Sequence, residues 1–166
     1  MKKQYWLNFF YLPLLVVTIL VIFDQYTKYV IIQNITLNGE RIEVVSGFFD
    51  IVHVKNPGAA WGMFGDHTWA LSLLSLFASI GMIAFFKKLS EGFVSQAIAM
   101  SLLIGGTIGN LIDRALLSEV TDFLSFHWQT SYYFPAFNVA DSAICIGVFM
   151  YFVCSIIPCQ DKNTPE

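Results

Sequence analysis

Residues 92–112 read GFVSQAIAMSLLIGGTIGNLI, a run without a single Asp, Glu, Lys or Arg. A helix that spans a bilayer needs about 20 consecutive, mostly apolar residues. Three further charge-free stretches of similar length occur at Gln4–Phe23, Thr68–Phe86 and Ser142–Gln160. The whole chain agrees with this reading: of its 166 residues 56% are hydrophobic and 13% charged, with a mean hydropathy of +0.62. A soluble domain is about 45–50% apolar. We therefore expect an α-helical integral membrane protein, a single membrane domain over residues 1–166, with four transmembrane helices near 12–32, 68–86, 93–112 and 137–157. Within the third of these, Gly105 and Gly109 have the small-xxx-small spacing that lets membrane helices approach closely.

The charges that remain are informative because they are few. A formal net charge of −3 leaves no basic face for nucleic acid, which needs clustered Lys and Arg. Lys2 and Lys3 precede an apolar run that reaches Phe23 without a small-residue cleavage site before Asp24, so the run reads as a retained first helix rather than a removed leader. Positive residues favour the cytoplasmic side. Lys2, Lys3, Lys87, Lys88 and Lys162 fall on one side if both termini are cytoplasmic, leaving Arg41, Lys55 and Arg114 outside. The outer segments, 33–67 and 114–136, then carry the sequence complexity. Cys145, Cys154 and Cys159 form no Cys-x-x-Cys pair and read as buried free thiols.

In the first outer segment, residues 42–54 are rich in β-branched and aromatic side chains around Gly47 and read as two short strands. A small extracytoplasmic β-sheet over about 36–64 is expected. Pro57-Gly58 breaks the strand, and Ala59-Ala60-Trp61-Gly62-Met63-Phe64 leads into the second helix through a bend at the membrane surface. In the second outer segment Phe126–Phe134 is aromatic but interrupted by polar groups, as in an interfacial segment.

Asp122 follows the third helix and Asp141 sits in the first turn of the fourth. Carboxylates at membrane depth cost roughly 2.5–3.5 kcal/mol on insertion scales and mark functional sites. Held close, two of them share a proton, so that one activates water while the other protonates a carbonyl or its leaving nitrogen. The competing reading is that Asp141 caps the fourth helix and Asp122 pins a surface turn. Asn110 lies four residues before Arg114, and Asn138 three before Asp141, spacings that place each pair on one helix face. Asp24 and Lys28 share such a face at the outer end of the first helix. Arg114 pairs most simply with its neighbour Asp113; alternatively Arg114 or Asn56 holds a polar substrate backbone or a lipid ester.

Five motifs, in order, resemble those of the bacterial lipoprotein signal peptidases, the type II signal peptidases. They are Asp24-Gln25-Tyr26-Thr27-Lys28, Asn56-Pro57-Gly58-Ala59-Ala60-Trp61-Gly62, the stretch from Gly105 to Arg114, Val120-Thr121-Asp122-Phe123, and Phe137-Asn138-Val139-Ala140-Asp141. Together they span residues 24–141, and Trp61 stands where the family usually has Phe. The resemblance implies an aspartyl endopeptidase of the bacterial inner membrane that cuts diacylglyceryl-modified prolipoproteins just before the lipidated Cys. It implies Asp122 and Asp141 as the catalytic dyad, and Asn110, Arg114 and Asn138 as cavity residues supporting substrate or dyad. It also implies Asp24, Lys28, Asn56 and Gly106 in structure or binding. No metal or organic cofactor is implied, and the ligands it implies are lipidated prolipoproteins, membrane phospholipid and the inhibitor globomycin.

Two other classes fit parts of the pattern. A small transporter or channel would line an ion pathway with acidic residues, but would place charges at several depths rather than at one leaflet. A membrane scaffold would need neither aspartate. A site at the helix mouths suits a lipid-anchored substrate, whose cleavage point lies near the headgroups, and residues 42–64 are placed to act as a lid over it.

Overall fold

The computed structural model describes residues 7–58, 63–90, 93–129 and 131–157, with side chains from residue 9 onward. Lys2, Lys3, Ala59, Ala60, Trp61, Gly62, Cys159 and Lys162, used above, lie outside the described residues.

Four helices dominate: α1 (Leu12–Asn34), α2 (Thr68–Ala84), α3 (Val94–Leu117) and α4 (Val139–Ile156). Each belongs to a segment long and apolar enough to cross a membrane. Pro13 enters α1 in its first turn, where its missing N–H has no helical partner to lose. α2 stops at Ala84, and Phe86–Leu89 form a separate helical turn. α3 runs five residues beyond the expected end at 112. Asp113 and Arg114 lie inside the helix because both find partners there. α4 starts two residues later than expected, because Asn138 is its N-cap and Phe137 bridges to Leu124.

α3 is the central helix, packed on all three others. In a bilayer, where lipid tails are as apolar as Leu, close approach replaces the hydrophobic effect as the force between helices. The glycines of α3 supply that approach. A Cβ at Gly105 would lie 2.7 Å from Leu20 of α1, one at Gly106 would collide with the Ala140 carbonyl of α4, and one at Gly109 would lie 2.7 Å from Asp24. Gly147 of α4 returns the contact, 2.9 Å from the Ala99 carbonyl. The large side chains point the other way, as with Ile22 (63% exposed) and Phe149 (69% exposed). The chain is thus built as a multi-pass membrane protein, inside out relative to a soluble bundle.

The cysteine expectation fails for the same reason. Cys145 is exposed and Cys154 partly so, because only Ala140, Ala143 and Gly147 of α4 are buried.

A four-stranded antiparallel sheet of order β1-β2-β3-β4 crowns one end of the bundle, formed by β1 (Ile42–Val45), β2 (Phe49–Asn56), β3 (Val120–Trp128) and β4 (Tyr132–Tyr133). The β1–β2 hairpin turns at Gly47, whose φ of 69° suits glycine. The segment read as interfacial, 126–134, supplies the end of β3 and all of β4. β3 escaped detection because both its faces are covered: Val120 to Phe123 are all buried, which erases the alternation that identifies a half-exposed strand. Its register with β2 sets Asp122 opposite Val54 and Val120 opposite Asn56, while the Leu124–Phe137 bridge ties β3 to the entrance of α4. The sheet thereby brings Asn56, Asp122 and Asp141 to one place.

Candidate active site

Asn138 is the hub. As N-cap of α4 its Oδ1 accepts from the Asp141 N–H at 2.9 Å, and its own N–H donates to Asp141 Oδ2 at 3.1 Å. This reciprocal capping box satisfies two amides that a helix start leaves orphaned. The same side chain donates from Nδ2 to Asp122 Oδ1 at 2.8 Å. The capping reading of Asp141 is therefore right, and it is the cap that joins the two aspartates.

Two more asparagines complete the set. Asn110 Nδ2 donates to Asp141 Oδ1 at 2.7 Å, and Asn56 Nδ2 to Asp122 Oδ2 at 3.0 Å. Each of the four carboxylate oxygens thus accepts from a neutral amide. Asn138 is fully buried, and Asp122 and Asn110 nearly so. Burial, followed by the neighbouring Asp141 charge, raises the Asp122 carboxyl to about 7; Asn56, Asn138 and the Lys28 charge pull the other way. A carboxyl at that value gains and loses its proton near neutral pH.

Both carboxyls line a cavity of about 580 Å³. Its floor is polar, with Asn56, Asn110, Arg114 and Ser142, whereas Leu74 and Ala78 of α2, Phe134, Phe137 and Ile144 make its walls apolar. Arg114 also borders a second groove, of about 480 Å³, between α2 and α3.

Arg114 departs from expectation. No Asp113–Arg114 ion pair forms among the described residues, because consecutive helical residues point about 100° apart. Arg114 turns toward the cavity and donates from Nη2 to the Gly58 carbonyl at 2.9 Å. Asp113 turns toward α1, where it meets Lys28 at 3.1 Å and Gln25 at 2.8 Å, and it accepts from the Thr121 N–H.

Asp24 and Lys28 pair at 2.8 Å, both buried, and Asp24 also accepts from the Ala140 N–H at 2.9 Å. They form a closed cluster behind the dyad and do not line the cavity. Gly106 does not line it either; its place is the contact with Ala140. Gln25 and Thr121 were missed as parts of the site. Both stand inside the quoted motifs, but only the fold puts them beside Asp113. Among the described residues no group of three His, Cys, Asp or Glu is placed to hold a metal ion.

With this geometry established, comparison with known proteins is decisive. The family model described as signal peptidase (SPase) II matches residues 16–157. The chain belongs to this family. It is 42% identical to the lipoprotein signal peptidase of Syntrophotalea carbinolica, over 85% of this chain and 88% of that protein. It is 34% identical to the one from Bacillus subtilis, over 86% and 92%. Among solved structures, a bacterial membrane enzyme determined by the in meso method at 2.3 Å resolution matches with a TM-score of 0.83, at 34% identity and 95% coverage of both chains. The chain is thus a membrane peptidase of the aspartic type, and the transporter and scaffold readings fall.

Proposed function

We propose that Asp122 and Asp141 are the catalytic dyad with which this peptidase removes signal peptides from prolipoproteins, cutting a diacylglyceryl-modified substrate just before its lipidated Cys. The observation that carries the reading is Asn138, which hydrogen-bonds both carboxyls at once over an apolar cavity. A buried acid and a half-buried one joined through a single asparagine share one proton. The ionised member takes a proton from water, and the resulting hydroxide attacks the scissile carbonyl. The protonated member donates to the carbonyl oxygen, and the proton gained by the first then passes to the leaving nitrogen as the peptide bond breaks. A bell-shaped pH dependence of kcat follows. Asn56, Asn110 and Asn138 hold the dyad, and Arg114 faces the substrate backbone.

The apolar walls suit acyl chains, whether of the substrate, of a membrane phospholipid or of a globomycin-type lipopeptide. Lys87 and Lys88 lie in the α2–α3 connection, at the end of the bundle away from the sheet. By the positive-inside rule that end is cytoplasmic, together with both termini, and the sheet and site belong to the outer leaflet of the bacterial inner membrane.

The test is cleavage of a lipidated reporter by Asp122→Asn and Asp141→Asn proteins that insert and fold normally. Each should be inactive; full activity in either would falsify the dyad. Linking residues 42–64 to the outer end of α4 should also block turnover if that segment closes over the substrate, and unimpaired turnover removes the lid.

A further inference from the structure

We propose that Lys28 is a positioning residue for proteolysis: its ammonium fixes the Asn110 side-chain amide so that the NH2 group, not the oxygen, faces Asp141. The inference rests on the dyad reading and assigns a role to the closed cluster behind it.

An ammonium has three protons and no acceptor. Lys28 Nζ meets three oxygens: Asp24 Oδ2 at 2.8 Å, Asn110 Oδ1 at 3.0 Å and Asp113 Oδ2 at 3.1 Å. Every proton is used, and the side chain is only 3% exposed. The two carboxylates that hold it are themselves anchored. Asp24 accepts from the Ala140 N–H and from Gln25, and Asp113 from Gln25 and the Thr121 N–H. The ammonium therefore sits at a fixed point.

Asn110 is the link between this point and the dyad. An amide has a donor end and an acceptor end, and a donor-only neighbour dictates which end it receives. With Oδ1 on Lys28, Nδ2 is left for Asp141 at 2.7 Å. Turned over, the amide would set its NH2 against the ammonium and against Asn138 Nδ2, which donates to Asn110 Oδ1 at 3.1 Å. It would also set its oxygen against the Asp141 carboxylate, an arrangement stable only if Asp141 carries a proton. Lys28 thus keeps the dyad able to hold a single proton. The ionisable groups around Asn110 are Asp24 and Lys28 on α1, Asp113 and Arg114 on α3, Asp122 on β3 and Asp141 on α4.

The test compares the pH dependence of kcat for the unsubstituted enzyme, Lys28→Met, and the double variant Lys28→Met/Asp113→Asn. The double variant removes one positive and one negative charge and leaves the cluster's net charge unchanged. Both variants should lose at least about 10-fold in kcat near neutrality. Their acidic limb should move to higher pH by roughly one unit. A role through charge alone would return the limb to its original position in the double variant. A merely structural role would lower activity equally at every pH. Either result overturns the proposal. If neither variant folds, the Asn110 side-chain amide resonances of the unsubstituted protein decide, since they should shift at the pH of the acidic limb; signals indifferent to that titration refute the link. Activity surviving in Asp141→Asn would instead remove the dyad reading, whatever Lys28 does.

Discussion

Two pairs of carboxylates, three of the four side chains buried, are handled in opposite ways in this protein. Asp24 and Asp113 share the Lys28 ammonium and are sealed between α1 and α3. Among the described residues, the side chains and backbone that donate to Asp122 and Asp141 are neutral amides, and both carboxyls face a cavity. A carboxylate locked onto a buried cation has no open face for a substrate, whereas one held by neutral amides beside a cavity can meet water and a peptide carbonyl. On the proposed mechanism the first pair supplies structure and the second chemistry, although all four are the same side chain in the same bundle.

The largest effect expected from this contrast is the loss of roughly 10³-fold or more in kcat for Asp122→Asn or Asp141→Asn. If the two act as the proposed unit, the double variant should be hardly worse than either single one. Losses that multiply would separate the two aspartates into independent roles and break the contrast. Next comes Asn138→Ala, which removes the α4 cap and the bridge between the carboxyls together. A lost cap costs about 1 kcal/mol, and Asp122 also loses a donor. We expect a drop of about 10²-fold in kcat alongside the lower thermal midpoint; a midpoint that falls while kcat holds would reduce Asn138 to a cap.

Much of this was legible in the sequence, for identifiable reasons. Lipid contact demands long charge-free runs, so the four helices showed themselves, and Gly47 gave away the first hairpin. β3 did not, since a strand buried on both faces loses its alternation while still carrying Thr121, Asp122, Ser125 and His127. Asp122 and Asp141 stood out as charges in an apolar chain. Their joining through Asn138 did not, because it depends on the Leu124–Phe137 bridge, a long-range pairing. The turn of Asp113 toward Lys28 and of Arg114 toward the cavity was readable from helical geometry alone, but the sequence neighbours suggested an ion pair instead.

The contrast sharpens along the pH axis. The folded protein holds Asp122 at about 7, against 3.8 ordinarily. A carboxyl raised in this way opposes folding once the unfolded chain ionises it. Its penalty is absent below about pH 4, grows as pH rises toward 7, and is constant above that. Three pH units correspond to about 4 kcal/mol as an upper bound. Thermal midpoints measured from pH 4 to 8 should therefore fall more for the unsubstituted protein than for Asp122→Asn. Parallel curves would show that the folded state holds the carboxyl like any other. At the helix contact, Gly106→Ala should cost about 1–3 kcal/mol, because its Cβ would collide with the Ala140 carbonyl. An unchanged midpoint would mean that α4 yields easily and that the site tolerates its movement.

The smallest effect belongs to a fifth carboxylate, Asp50, on the sheet and outside both groups, and to its neighbour His127. His127 donates from Nδ1 to the Gln129 carbonyl, and its Nε2 lies 3.2 Å from Asp50 Oδ1. The ring also stacks on Tyr133, over which the Arg41 guanidinium sits at 4.5 Å. With the Gln129 carbonyl accepting at Nδ1 and the Asp50 carboxylate near Nε2, a second proton is welcome. The Gln129 bond is the main cause and Asp50 assists, while burial and Arg41 oppose, so His127 titrates above its usual value. The sign is opposite to that of Asp122: this contribution is complete below about pH 6.5 and is lost as pH rises through the raised value. His127→Gln should lower the midpoint by roughly 1–2 °C at pH 6, have no effect at pH 9, and leave kcat within about twofold. A loss of kcat as large as that of Asn138→Ala would mean that the sheet, and not the asparagine hub alone, sets the geometry of the dyad.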